Sequence, residues 1–210
     1  MGRILLDSAA LDDAAWASGA GFVRGITTNP TLLRRETGDP LGHAEKILAT
    51  AGFGELYYQP TGAYGDAAEE AESAWALDRQ RVILKLPATA SGAALAATLA
   101  SRGARVALTA AQSPLAMIAA ESIGCSAVIP YLDRALRDPH TDSRLLRALA
   151  EVRRKATPIV AASVKSTAQI LQAFTDGADA VTAPRAVLEE LLQHPASLEA
   201  ERRFAAEYRS

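Results

Sequence analysis

Along the chain, short apolar runs of strand length alternate with segments whose apolar residues recur at helical spacing. The runs are RILLD (3–7), FVRGIT (22–27), ELYYQ (55–59), RVILKLP (81–87), ARVALT (104–109), SAVIPY (126–131), PIVAAS (158–163) and DAVTAP (179–184). The helical segments fall near 9–18, 39–51, 65–79, 91–102, 112–123, 142–155, 166–176 and 184–193. Eight strands, each followed by a helix, predict an α/β fold: one (β/α)8 TIM barrel over residues 1–210. A doubly wound open sheet is the alternative arrangement of the same order. The tail SLEAERRFAAEYRS adds a further helix, about 197–209, lying across the barrel mouth or against a neighbouring subunit. Boundary chemistry agrees. Thr89 or Ser91 caps the fourth helix, Ser166 or Thr167 the seventh, and Pro184 suits a first turn. Glycines 19, 52, 103, 124 and 177 sit near helix ends.

One polar residue violates the pattern. From Val82 to Pro87 every residue but Lys85 is apolar, which reads as a strand buried on both faces. Stripping water from an ammonium is costly, so Lys85 needs an acidic partner, for which Asp7 is the candidate, or a depressed pKa. Val82, Leu84 and the neighbouring strands are the expected apolar wall. In such barrels chemistry sits at the C-terminal strand ends. Those ends deliver Asp7, then Thr27, Thr28 and Asn29, then Gln59, Lys85, Thr109, Tyr131 and Ser163. By alternation Lys85 shares a face with Ile83, Asp7 with Leu5, Thr109 with Ala107 and Tyr131 with Ile129; that face is taken as the interior. Each residue also has a structural reading. Asp7 caps the first helix, Asn29 before Pro30 makes a turn, Gln59 and Thr109 satisfy backbone groups, and Tyr131 is a core aromatic. Lys85 fits such a reading least.

Composition narrows the chemistry. The 210 residues are 49% hydrophobic and 22% charged, enough to build a sizeable core. With 22 Lys+Arg against 24 Asp+Glu the net charge is −2, which gives no reason to expect nucleic acid or a membrane surface as partner. No signal peptide or membrane span is visible, and the single Cys125 suits a reducing cytoplasm as a small buried hydrophobe. His43, His140 and His194 lie away from the strand ends, so no metal site is predicted. No G-x-G-x-x-G follows a strand, so a dinucleotide cofactor is not expected. What remains is amine chemistry: a partly neutral lysine attacks a ketone, and the iminium withdraws electrons from the adjacent carbon–carbon bond. Lys165, past the seventh strand, fits phosphate contact better.

Asp7, GITTNPTLL (25–33), VILKLPAT (82–89), PYLDR (130–134), AASVKS (161–166) and GADAVTAP (177–184) occur in order over nearly the whole chain. In these pieces the sequence resembles the transaldolase family, most closely its small fructose-6-phosphate aldolase-like and short transaldolase members. The resemblance implies that Lys85 is the Schiff-base nucleophile and that Asp7 is the acid assisting at the donor hydroxyl. It implies that Asn29 with Thr27 or Thr28 orients the donor, and that Thr109 positions a catalytic water. Arg134 and Ser163 resemble the phosphate-binding pair, with Lys165 and Ser166 as helpers. Gln59 and Tyr131 match the aldolase-like members, where many transaldolases carry glutamate and phenylalanine. The loop after Thr109, ALTAAQSP, is shorter than usual in the family and lacks its bulky residues. The implied activity is cleavage of a ketose phosphate such as fructose 6-phosphate. Transfer of the dihydroxyacetone unit to an aldose phosphate is the alternative, and a non-catalytic sugar-phosphate binder a remoter one. The family also implies no cofactor, and a homo-oligomer, pentamer or decamer, that exchanges its C-terminal helix.

Overall fold

A computed structural model describes residues 2–50, 52, 54–62 and 66–209. Eight strands, β1 (Arg3–Asp7), β2 (Val23–Thr27), β3 (Glu55–Tyr58), β4 (Val82–Pro87), β5 (Val106–Thr109), β6 (Ala127–Ile129), β7 (Val160–Ala161) and β8 (Ala180–Ala183), form one parallel sheet. Its order is β6-β5-β4-β3-β2-β1-β8-β7, and parallel bridges Val128–Ile159 and Tyr131–Ala162 join the two ends. The sheet thereby closes into the expected barrel rather than an open doubly wound sheet.

The helices are α1 (Leu11–Gly19), α2 (Pro30–Glu36), α3 (Pro40–Thr50), α4 (Ala67–Leu77), α5 (Ala90–Ser101), α6 (Leu115–Ile123), α7 (Leu132–Arg137), α8 (Leu145–Val152), α9 (Thr167–Thr175), α10 (Arg185–Glu189) and α11 (Pro195–Arg209). A 3-10 turn, Glu190–Leu192, follows α10. Two short helices, α2 and α7, depart from the expected count of one helix per strand. Each starts within three residues of a strand end, and the residues themselves explain why. Asn29 caps α2 by accepting from the Leu32 amide (3.0 Å), and Pro30 takes its first position. Thr89 caps α5, and Ser166 caps α9 by accepting from the Gln169 amide (3.2 Å). Gly103, Gly124 and Gly177 are left-handed as helix-closing glycines should be, whereas after α1 that conformation belongs to Gly21, not Gly19. Residues 51 and 65, at the edges of two predicted helices, lie outside the described residues.

Strand alternation splits the core into two layers. Leu6, Ile26, Leu56, Val82, Leu84, Val106, Val128 and Val181 face outward against the helices. Leu5, Tyr57, Ile83, Ala107, Ile129, Val160 and Ala180 fill the barrel interior. The bottom is closed by charge. Glu55 accepts from Arg3 (2.9 Å), Arg105 (2.6 Å) and the Tyr57 hydroxyl (3.2 Å), satisfying a carboxylate that would otherwise be costly to bury. Burial, with Glu55 adding to it, raises the Tyr57 pKa.

Candidate active site

The open end of the barrel holds a cavity of about 500 Å³. Asp7, Thr27, Asn29, Gln59, Lys85, Tyr131, Arg134, Ser163 and Lys165 line it. Thr28, Thr109 and Ser166, named with them from sequence, stand behind this wall. Thr28 donates its hydroxyl to the Tyr57 carbonyl (3.2 Å), Thr109 lies 3.4 Å from the Tyr131 hydroxyl, and Ser166 caps α9.

Lys85 points inward from β4 beside Ala107 and is 3% exposed. Its amine donates to the Thr28 carbonyl at 2.6 Å. Burial pushes its pKa down to about 8, and the Asp7 charge offsets part of that fall. Asp7 therefore acts through space, and no ion pair joins it to Lys85. Val82 and Leu84 belong to the outer layer, so the apolar surroundings of the amine come from the inward set led by Ile83 and Ala107. Parity explains the difference: the strand neighbours of an inward residue point outward.

Asp7 does not cap α1, whose N-cap Ala10 has no side-chain partner. Its Oδ1 accepts from Thr27 (3.0 Å), and the Thr27 hydroxyl lies 2.7 Å from that of Thr182 on β8. Thr182 is buried and absent from the sequence-based set; its parity with Ala180 was the available signal. Asn29 uses its carbonyl oxygen as the α2 cap and still borders the cavity. Among the described residues Gln59 Oε1 is buried without a hydrogen-bond partner, an open acceptor in the cavity wall. The Gln59 loop is clamped by Glu70, which sequence reasoning also missed. Glu70, itself buried, accepts from the Tyr58 hydroxyl (2.6 Å), the Thr61 amide (2.7 Å) and hydroxyl (2.9 Å), and the Gly62 amide (2.8 Å).

On the far side the Arg134 guanidinium lies 4.6 Å from the centre of the Tyr131 ring, which fixes an otherwise exposed cation over the mouth. Ser163 has φ of 59° and Ala110, at the end of β5, 56°. Left-handed backbone at non-glycine residues is strained, and both residues line the cavity. At Ser163 the turn breaks the alternation that keeps Val160 and Ala162 inward and brings the next residue to the cavity as well. Elsewhere, Cys125 is buried and its pKa is pushed up to about 11, as suits an inert core thiol. His43 is buried against the Ala9 carbonyl (2.6 Å). Among the described residues no three His, Cys, Asp or Glu side chains converge as metal ligands would, and no helix is long and apolar enough to cross a membrane.

A closed barrel with a buried lysine, one carboxylate, hydroxyls and cations around a small cavity at its C-terminal rim defines a barrel enzyme for a small polar substrate. Comparison with known proteins makes the class specific. Residues 61–209 match the family described as transaldolase/fructose-6-phosphate aldolase. A protein named probable transaldolase from Symbiobacterium thermophilum is 31% identical over 92% of this chain and 90% of its own. One of the same name from Maridesulfovibrio salexigens is 30% identical over 92% of this chain and 91% of its own, and one from a Roseiflexus species 28% identical over 99% and 97%. The chain belongs to the transaldolase/fructose-6-phosphate aldolase family, a family of enzymes with aldolase or transaldolase activity.

Proposed function

We propose that the protein is a metal-independent, Schiff-base-forming enzyme that cleaves ketose phosphates such as fructose 6-phosphate. The buried, partly neutral amine of Lys85 inside the polar cavity carries this reading. Lys85 Nζ attacks the C2 carbonyl carbon, the carbonyl oxygen takes up protons and leaves as water, and an iminium forms. Tyr131, directly or through a water held with Thr109 and Gln59, relays the proton lost from the C4 hydroxyl. The C3–C4 bond then breaks and its electrons flow into the iminium as the aldehyde departs. The enamine takes a proton at C3, and hydrolysis frees dihydroxyacetone. Asp7, held by Thr27, stabilises the cation and assists at the donor hydroxyl; Asn29 orients the donor. The Thr28 carbonyl holds the resting amine. Arg134 and Ser163, with Lys165 beside them and Ser166 shaping the turn, take the phosphate.

Gln59 and Tyr131 favour cleavage over transfer, although the relatives above are named probable transaldolases. The transferase differs only in the enamine's fate: attack on an aldose phosphate instead of protonation. Supplying fructose 6-phosphate with and without an acceptor aldehyde separates the two; free dihydroxyacetone without acceptor marks the aldolase. Borohydride reduction in the presence of fructose 6-phosphate should fix the donor carbons to Lys85, seen by peptide mass. Lys85→Arg should abolish trapping and turnover, because a guanidinium stays charged. Trapped label on Lys165, or activity in Lys85→Arg, would overturn the mechanism. A chelator should leave turnover unchanged. We also propose a cytoplasmic location and a homo-oligomer, a pentamer or decamer, on the family resemblance.

A further inference from the structure

Asp7 is held from one side only. Among the described residues Thr27 is the single side chain that donates to its carboxylate, 3.0 Å from Oδ1. A hydroxyl is a rotor with one proton, so this contact holds Asp7 only while that proton points at it. The Thr27 hydroxyl also lies 2.7 Å from that of Thr182. Thr27 gives its proton to Asp7, so the proton of the second contact must come from Thr182. The order is therefore fixed: Thr182 donates to Thr27, and Thr27 donates to Asp7.

Strand register builds this chain. β8 and β2 flank β1, with Thr182 opposite Leu5 and Thr27 opposite Asp7. The two hydroxyls thus meet across β1, with Thr182 one inward position deeper. Both threonines are 1% exposed, and Thr27 lines the cavity while Thr182 does not. Thr182 stands behind the wall, out of a substrate's reach. At that depth a hydroxyl without a partner is costly, which holds the chain in one arrangement, and hydrogen bonds in series polarise one another. Packing alone does not call for the oxygen: the neighbouring inward position on the same strand is Ala180.

We infer that Thr182 is a positioning residue: it fixes the Thr27 hydroxyl and through it aims the Asp7 carboxylate at the donor end of the substrate bound to Lys85. The inference rests on the proposed chemistry at Lys85. There Asp7 assists at the donor hydroxyl and stabilises the iminium. A carboxylate free to turn away slows bond breaking, while capture of the phosphate by Arg134 and Ser163 stays as it was.

The test compares Thr182→Ser with Thr182→Ala in the intact protein, with fructose 6-phosphate as substrate. Both lose the methyl group, so any loosening of the barrel is shared, and only serine keeps the hydroxyl. Thr182→Ala should lower kcat about tenfold, the scale of one hydrogen bond in a charged chain, with KM within about twofold of the unmodified protein. Thr182→Ser should recover most of that loss. The Asp7→Ala background, read as single-turnover release of the aldehyde, has no carboxylate left to aim. There Thr182→Ala should cost less than about twofold more, a non-additivity that general loosening would not produce. Equal rates for the serine and alanine variants, or the full loss repeated in Asp7→Ala, would overturn the role of Thr182. Borohydride trapping of fructose 6-phosphate on Lys85 in the unmodified protein separates this from the mechanism. Trapping with either of those results removes Thr182's role alone; absence of trapping would overturn the mechanism and this role with it.

Discussion

Lys85 shows how one residue can be useful and costly at once. With its pKa near 8, roughly one amine in ten is neutral at pH 7, against well under one in a thousand for an ordinary lysine. On the proposed mechanism kcat/KM should climb with pH and level off above about 8; a profile flat from pH 6 to 9 would contradict the amine's role. Stability follows the same proton. Between about 8 and the ordinary lysine value the unfolded chain binds more protons than the folded one, so stability rises with pH across that window. Below pH 8 the full penalty is present. Lys85→Met should therefore abolish trapping yet raise stability at pH 7, by on the order of a few kcal/mol, and lose that advantage near pH 10 in denaturant titrations. The lysine was legible in sequence because it interrupts an apolar run. Its hydrogen-bond partner was not, since the direction of the Thr28 carbonyl depends on how the chain turns out of β2 into α2.

The elements place Lys85 through backbone contact as much as through side chains. A methyl group on Gly92, in the first turn of α5, would lie 2.1 Å from the Pro87 carbonyl oxygen at the end of β4. Glycine is what lets the helix seat directly on the strand that carries the lysine. Gly92→Ala should push the two apart, costing about 1–3 kcal/mol in thermal or denaturant unfolding and lowering kcat with it. An alanine variant of full stability and activity would show that the contact is dispensable. Strand positions were readable because alternation and the closing glycines punctuate them. The short helices α2 and α7 were not, as seven and six residues hold too few turns for a helical period to emerge. Before a helix as short as α2 the pair Asn29-Pro30 looks like a turn, although it is a cap. The six-residue run PIVAAS yields only two strand residues, because the chain turns left-handed at Ser163.

Taken whole, the molecule keeps its variable chemistry above and its closure below. The barrel itself was legible from eight alternations of strand and helix, but nothing in a linear pattern reveals that Glu70 reaches back to the Gln59 loop or that Thr182 completes the Asp7–Thr27 chain. The tail helix α11 has no buried residue, and Phe204 and Tyr208 stand exposed on it. If it joins neighbouring subunits as the family resemblance implies, a chain ending at His194 should still melt cooperatively but elute in light scattering as a monomer, while the full chain assembles. A truncated chain that assembles equally well would remove that role. The ionic plug at Glu55 has its own consequence. With the axis filled by inward side chains and its floor bolted by Arg3 and Arg105, the doorway to the lysine among the described residues is the open end of the barrel. Under the proposed chemistry, water that would hydrolyse the protonated intermediate and an aldehyde that would capture the enamine queue at the same door. On the proposed mechanism, the balance between cleaving a sugar and rebuilding one becomes a matter of traffic, decided by what stands in the doorway when the first product leaves.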